Sequence, residues 1–253
     1  MKERELMKTD IETLRSRGYI EGDVINEYRK KSKEDLIELL DDKIPCVRSS
    51  AVKALSLSYD MNEIEISKIV LEKLVKEKKL YTRIEMGAAL ERGGEITAQQ
   101  MVRYIGKIGK NQHKKLPERS SKKISFPLAR DFITRSLARM DIKVMPVLID
   151  VLDSQDEEKI SEIFDAIGYM AFYNSNAAKR EYAKKVLDAI EKYKNNEVIY
   201  WKGILCLSGF PWQQAVDFLK NVIATENEIL LVEEAKRSLR LMKRPLLDIY
   251  YEK

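Results

Sequence analysis

The sequence is poor in the residues that nucleophilic and metal chemistry draw on. Among 253 residues there is one histidine, His113, and there are two cysteines, Cys46 and Cys206. A single histidine in a lysine-rich stretch, with no Ser, Cys or carboxylate cluster beside it, argues against a triad or a His-based acid–base pair. Two cysteines so far apart, without CxxC spacing, suggest neither a disulfide framework nor a zinc site, and both are expected to be small buried apolar side chains. Glycine (10) and proline (6) are scarce for this length. That scarcity of turn punctuation, beside abundant Leu, Ile, Lys, Glu and Ala, disfavours an all-β fold and favours helices.

Long apolar runs are also missing. The longest uncharged stretch, 203–216, spans 14 residues and is broken by Gly209 and Pro211, too short to cross a bilayer. The first 18 residues carry charge throughout and lack the apolar core of a secretory signal. The expectation is a cytoplasmic protein with no membrane association. No GxxxxGK[ST], GxGxxG after a strand, HExxH or EF-hand spacing occurs. No catalytic, cofactor or metal residue is therefore assigned. The many carboxylates, such as Asp156, Glu157 and Glu158, read as helix N-terminal charges or solvated faces.

What the sequence does contain is internal repetition. In Leu36–Leu55, LIELLDDKIPCVRSSAVKAL, apolar residues at 36, 37, 39 and 40 recur at helical spacing until Asp41 and Asp42 stop the run. Pro45 then suits the first turn of a second helix, on which Val47, Ala51, Ala54 and Leu55 share a face. The unit returns 112 residues later, where Leu148, Ile149, Val151, Leu152 and Asp153 fall on Leu36, Ile37, Leu39, Leu40 and Asp41. Weaker second helices follow at RIEMGAAL, ARDFITRSL and LVEEAKRSL, placing Arg83 and Arg130 on Arg48 and Ala235 on Ala51.

This pattern resembles a HEAT repeat. The resemblance implies an all-α, right-handed superhelix, an armadillo-like solenoid of about six hairpins, because a lone hairpin cannot bury its apolar face and neighbours must stack. Hairpins are expected near 33–58, 64–92, 97–140, 146–173, 177–208 and 212–242. Residues 1–31 would form a charged helical cap, 32–243 the solenoid, and 244–253 a tail packing Leu246, Leu247 and Tyr250 on the last hairpin. Ser32 with Asp35, and Thr97 with Gln100, have the spacing of capping boxes or close relatives. The resemblance further implies that Arg48, Arg83 and Arg130 are scaffold residues bonded to turn aspartates, with Asp41, Asp42 and Asp153 as partners.

Two features point past the scaffold. If second helices line a concave groove for a protein partner, positions three and six after the Val47 equivalent should face it. These are Ser50 and Lys53, Glu85 and Ala88, Phe132 and Arg135, Glu162 and Asp165, and Glu234 and Arg237. Their mixed charge suits a protein better than a nucleic-acid track. The second feature is electrostatic. Between Arg103 and Arg130 nine basic residues face one acid, a local +8 in a chain of +5, so the remainder sums to −3.

That charge coincides with an expected inter-helix loop at about 110–126. Gly106 and Gly109 are expected to weaken or end the helix before it. Long loops of this kind are functional or disordered, and Lys107, Lys110, His113, Lys114, Lys115, Arg119, Lys122 and Lys123 are candidates to touch phosphates or an acidic surface. Nucleic acid is thus a possible partner. Helical-repeat DNA glycosylases of the alkylation-repair type also resemble HEAT stacks and use aromatic side chains with an acid on the concave face. Trp201, Trp212, Tyr200 and Asp217 could be cast there, although VIYWKGILCLSGFPW reads more simply as a buried helix, a turn and the start of another helix.

Overall fold

Prolines, caps and periodic apolar residues divide the chain into short helices joined by tight turns. The computed structural model describes residues 10–21 and 24–243, and among them every regular element is helical. The expected tail, with Leu246, Leu247 and Tyr250, lies outside the described residues, as does part of the N-terminal cap. Two short helices, α1 (Ile11–Ser16) and α2 (Ile25–Tyr28), come first. Six successive pairs follow: α3 (Lys33–Glu38) and α4 (Pro45–Ser58), α5 (Ile64–Lys76) and α6 (Leu80–Glu91), α7 (Glu95–Met101) and α8 (Phe132–Leu137), α9 (Met145–Asp150) and α10 (Glu157–Tyr173), α11 (Arg180–Lys192) and α12 (Glu197–Cys206), and α13 (Gln213–Thr225) and α14 (Ile229–Met242). The chain clusters into two compact units that divide between Thr97 and Ala98.

In the first unit the opening hairpin forms as its sequence demands. The Ser32 hydroxyl accepts from the Asp35 amide at 3.1 Å and starts α3, and Pro45 occupies the first turn of α4, where no amide donor is needed. Leu36, Leu40, Ala51, Ala54 and Leu55 are buried, and α4 packs on α6. Thr97 does not cap α7 through a box. Its hydroxyl donates to the Met61 carbonyl at 2.6 Å, while the side-chain oxygen of Asn62 accepts the amides of Gly94, Ile96 and Thr97. A carboxamide from the preceding turn thus satisfies the donors of the α7 start.

The arginine assignment needs correction too. Arg48 does not bond to an aspartate carboxylate; its Nε and Nη2 fork onto Glu77 at 2.7 and 2.9 Å, and Nη1 donates to the Asp42 carbonyl at 2.7 Å. Burial alone would push Glu77 up, but hydrogen bonds from Arg48 and from the Lys79 and Lys78 amides, with the Arg48 charge, hold it below the usual carboxylate range. The turn aspartates pair instead with lysines: Asp41 with Lys73 at 2.5 Å, and Asp153 with Lys185 at 2.8 Å. Both members of the second pair lie 112 positions after those of the first. Such exposed pairs contribute little stability, yet their recurrence shows the repeat in three dimensions.

In the second unit α12 packs against both α10 and α14. It is buried on all sides, from Ile199 to Cys206, as the apolar run implied. Cys206 is buried and Cys46 only half-buried, and both are free thiols. No described helix is long and apolar enough to cross a membrane. The third hairpin departs from expectation. Regular structure stops at Tyr104, and Gly106 and Gly109 then take left-handed φ values of 79° and 91°. Irregular chain runs from Ile105 to Asp131, longer than the loop expected at about 110–126. Asp131 rather than an earlier residue caps α8, so Arg130 lies outside that helix and is not equivalent to Arg48.

Leu40 and Leu152 occupy matching buried positions, with 2% and 3% of their surface exposed. Truncating either to alanine should open a cavity and cost on the order of 2–5 kcal/mol. Denaturant unfolding of the two variants checks this, and a change within about ±0.5 kcal/mol would be a surface-like result.

Candidate functional site

The charged candidates of the second unit come together, but beneath the chain rather than at an open groove. Segment 105–131 lies across α10, α12 and α14. Lys114 pairs with Glu158 at the start of α10 at 2.6 Å, and the His113 ring meets Trp201 of α12 edge-on with centroids 4.9 Å apart. Ser120 donates to Glu233 of α14 at 3.0 Å. The Arg237 guanidinium donates to the carbonyls of Lys123 at 3.1 Å and Ser125 at 2.9 Å. Phe126 then turns its ring onto α10, near Phe172 at 5.8 Å, and is itself buried.

Gly168 makes that last contact possible. A Cβ there would stand 2.4 Å from the Phe126 ring and 2.9 Å from the Cys206 backbone. Glycine inside a helix costs about 1 kcal/mol relative to alanine, and here its place is explained by a ring seated where a side chain would be. At the other end of the segment Gln112 donates to the buried Asp131 carboxylate at 2.9 Å, which also accepts from the Gly106 amide and from the Thr134 amide and hydroxyl.

Under this cover sits an ionic cluster. Lys202 Nζ bonds to Glu162 at 2.7 Å and Asp165 at 3.0 Å, with no exposed side-chain surface of its own. Burial is the largest influence on all three groups. It pushes Glu162 up to about 7 and Asp165 above its ordinary range. On Lys202 burial is outweighed by the two carboxylates, which hold the ammonium above its usual value. Among the described residues Glu162 Oε2 has no hydrogen-bond partner. One ammonium facing two carboxylates in a dry site favours taking up a proton on Glu162. Beside it Arg237 bonds Glu234 at 2.7 Å, and the Trp201 indole N–H donates to the other oxygen of Glu234 at 3.3 Å.

Glu162, Asp165, Glu234 and Arg237, expected to face a partner, therefore face their own chain. The other groove candidates are differently placed. In the first unit Lys53 and Glu85 pair at 3.7 Å between α4 and α6 and remain part-exposed, Ser50 is buried and Ala88 is half-buried. Phe132 opens α8, and Arg135 donates through Nε to the Ala129 carbonyl at 2.8 Å. Of the basic candidates, Lys107 stands over the Tyr104 ring, while Lys115, Arg119, Lys122 and Lys123 have exposed side chains.

Trp201 and Trp212 do not share a site: Trp212 caps α13, and its indole N–H donates to the Ala178 carbonyl at 2.7 Å. Asp217 pairs with Gln213 on that helix. No open pairing of an aromatic with an acid is formed by these residues. Chemically the covered site is suited to holding the segment rather than to nucleophilic attack. Burial pushes the Cys206 thiol up, away from the reactive thiolate, and the imidazole of His113 is neutral at pH 7 because burial, then the charges of Arg130 and Lys202, lower its pKa to about 4.

Lys202, Asp131 and Gln112 went unrecognised in the sequence. A lysine inside the apolar run 198–207 was the available signal for the first of them.

No family model matches the chain, and no curated protein matches it. Solved helical structures do match at low similarity. An engineered protein is 16% identical over 84% of this chain and 99% of its own, with a TM-score of 0.37. A designed armadillo repeat protein is 13% identical over 83% and 100%, with a TM-score of 0.35. A second designed armadillo repeat protein, in complex with peptide (KR)4, is 15% identical over 92% and 91%, with a TM-score of 0.32. The helical-repeat architecture stands on the six hairpins and the 112-residue recurrence of this chain itself.

Two outcomes follow from the covered site. Because the folded pKa of His113 lies below the ordinary 6.5, the folded state binds fewer protons between about pH 6.5 and 4, and this group destabilises the protein as pH falls through that window. Glu162 acts in the opposite sense, so a global stability curve mixes the two. The NMR titration of the sole imidazole is the clean measurement: a midpoint near 4 is expected, moving toward 6.5 in Phe126→Ala as the cover loosens. Separately, Lys202→Met leaves two buried carboxylates without their cation and should cost on the order of 3–5 kcal/mol at pH 7. The loss should shrink at pH 5, where carboxyls with raised pKa values take up protons, and unfolding at the two pH values checks it.

Proposed function

We propose that this chain is a non-enzymatic protein-interaction scaffold of the HEAT type, and that it meets its partner on the α4/α6 layer of the first unit. The observation that carries the proposal is the exposure of Leu57 on α4 (42%) and Ile84 on α6 (48%), the two helices that the Lys53–Glu85 pair joins. Leu57 lies one turn after Lys53, on the same side of its helix, and Ile84 precedes Glu85, about 100° around α6 from it. Apolar side chains of this size left in water next to charges of both signs have the make-up of an interface with an apolar centre and a polar rim. The partner chemistry that fits is a protein segment offering one or two apolar anchors and mixed charge. A uniformly anionic polymer would find Glu85 in its way.

Phosphate contact along 107–123 is the alternative. In its favour, Lys115, Arg119, Lys122 and Lys123 are exposed and make no ion pair among the described residues. Affinity capture of native partners with the wild-type chain and with a Leu57→Asp, Ile84→Asp variant distinguishes the two. Both positions are exposed, so the fold should persist. The scaffold proposal expects a protein that survives nuclease treatment and is reduced at least about tenfold with the variant, the effect of losing 1.4 kcal/mol of binding. Capture that the variant leaves unchanged, or that nuclease abolishes, would contradict it.

A further inference from the structure

The cover over α10–α14 leaves a cleft of about 410 Å³ at its root, lined by Lys110, Asn111, Gln112, Arg130 and Arg135. Every lining residue is a cation or an amide, and none is an acid. Among the described residues neither Lys110, Arg130 nor Arg135 forms an ion pair with a carboxylate, although the chain holds 41 acids to 46 lysines and arginines. Three cations sharing one concavity repel one another, and the acids that reach them, Asp165 through its influence on Arg130 and Asp131 behind Gln112, lie beneath the cleft rather than in its lining.

The geometry of the cleft is fixed from behind. Arg135 is anchored by its Nε to the Ala129 carbonyl, and no hydrogen bond within the described protein uses its two terminal nitrogens. Gln112 is held by Asp131. Asp131 keeps its charge but offers no direct ion pair, because its two oxygens already accept from two backbone amides, one carboxamide and one hydroxyl. Those four bonds fill its accepting capacity. Arg135 is left with an anchored fork and Arg130 with an exposed guanidinium, each able to make bidentate contact with a tetrahedral anion.

We propose that this cleft binds a phosphate-bearing small molecule, with Arg130 and Arg135 clasping the phosphate, Lys110 adding charge and the amides of Asn111 and Gln112 meeting its polar remainder. The volume exceeds that of a phosphate group and leaves room for a small organic body. It does not suit a polymer track, because the three cations converge on one hollow, and the nearby Lys114 is occupied by Glu158. The site holds whether or not the α4/α6 layer binds a protein.

The test uses the full chain with inorganic phosphate and pyrophosphate as probes at pH 7.5, followed by calorimetry and by NMR of His113. Saturable binding with a dissociation constant below about 1 mM is expected. Arg130→Gln and Arg135→Lys should each weaken it at least about tenfold, by removing charge and fork geometry respectively. Lys115→Gln, outside the cleft, should leave it unchanged. Because burial and then the Arg130 charge hold the imidazole pKa down, a bound anion at Arg130 should raise the His113 midpoint, a response that a merely destabilised variant would not reproduce on adding phosphate. Circular dichroism of each variant confirms that it is folded.

No saturable response up to about 10 mM phosphate, or equal binding by wild type and Arg130→Gln, would overturn the proposal. So would affinity for oligothymidylate that rises with strand length and falls equally on Lys115→Gln, since that marks an extended phosphate track along the segment.

Discussion

The seating of the Phe126 ring on Gly168 is the contact on which the second unit depends. It fixes one end of the 105–131 segment to α10, and Arg237 fixes the approach to it through the carbonyls of Lys123 and Ser125. With the segment in place, Glu162, Asp165, Lys202, Glu234 and Arg237 lie in a dry, hydrogen-bonded site. Without it, the same helices would present an open polar face. Buried charges are costly unless each has its partners, so the pairing of Lys202 and of Arg237 and the covering segment form one arrangement rather than separate features. Apolar burial and charge pairing here act on the same residues.

Most of the helical plan was legible in the sequence because it is carried by local signals. Apolar spacing near 3.6 residues, Ser32 before α3 and Pro45 inside α4 mark the hairpins within a few residues. The 112-residue register was readable from Leu36–Asp41 and Leu148–Asp153, and it reappears in the paired lysines of Asp41 and Asp153. Arg48 does reach Asp42, one of its expected partners, but through the carbonyl, and its carboxylate partner is Glu77. Glu77 lies 29 residues away, and no local pattern announces which carboxylate will reach an arginine across a turn.

The site was less legible for a physical reason. Segment 105–131 has no helical period, and its lysines stay exposed, so its letters do not mark the few residues that pack. The partners of those residues are distant in sequence: Gly168 and Phe172 for Phe126, and Trp201 for His113. A repeat register predicts which side of a second helix faces a groove, but not that a loop from a neighbouring hairpin will fill it. Arg130 shows the same limit. Its match to Arg48 rested on the letters around it, and Asp131, by capping α8, moves it out of the helix and into the cleft with Arg135. Among the described residues of the first unit no comparable segment covers α4 and α6, and Leu57 and Ile84 stay exposed.

The central claim is that segment 105–131 rests on α10–α14 in solution. Since the chain has one histidine and two tryptophans, the most direct measurement is a nuclear Overhauser spectrum of the imidazole and indole protons. With ring centroids 4.9 Å apart, His113 should show cross-peaks to Trp201 and ring-current-shifted resonances. Random-coil shifts for His113 with no cross-peak to Trp201 would contradict the account.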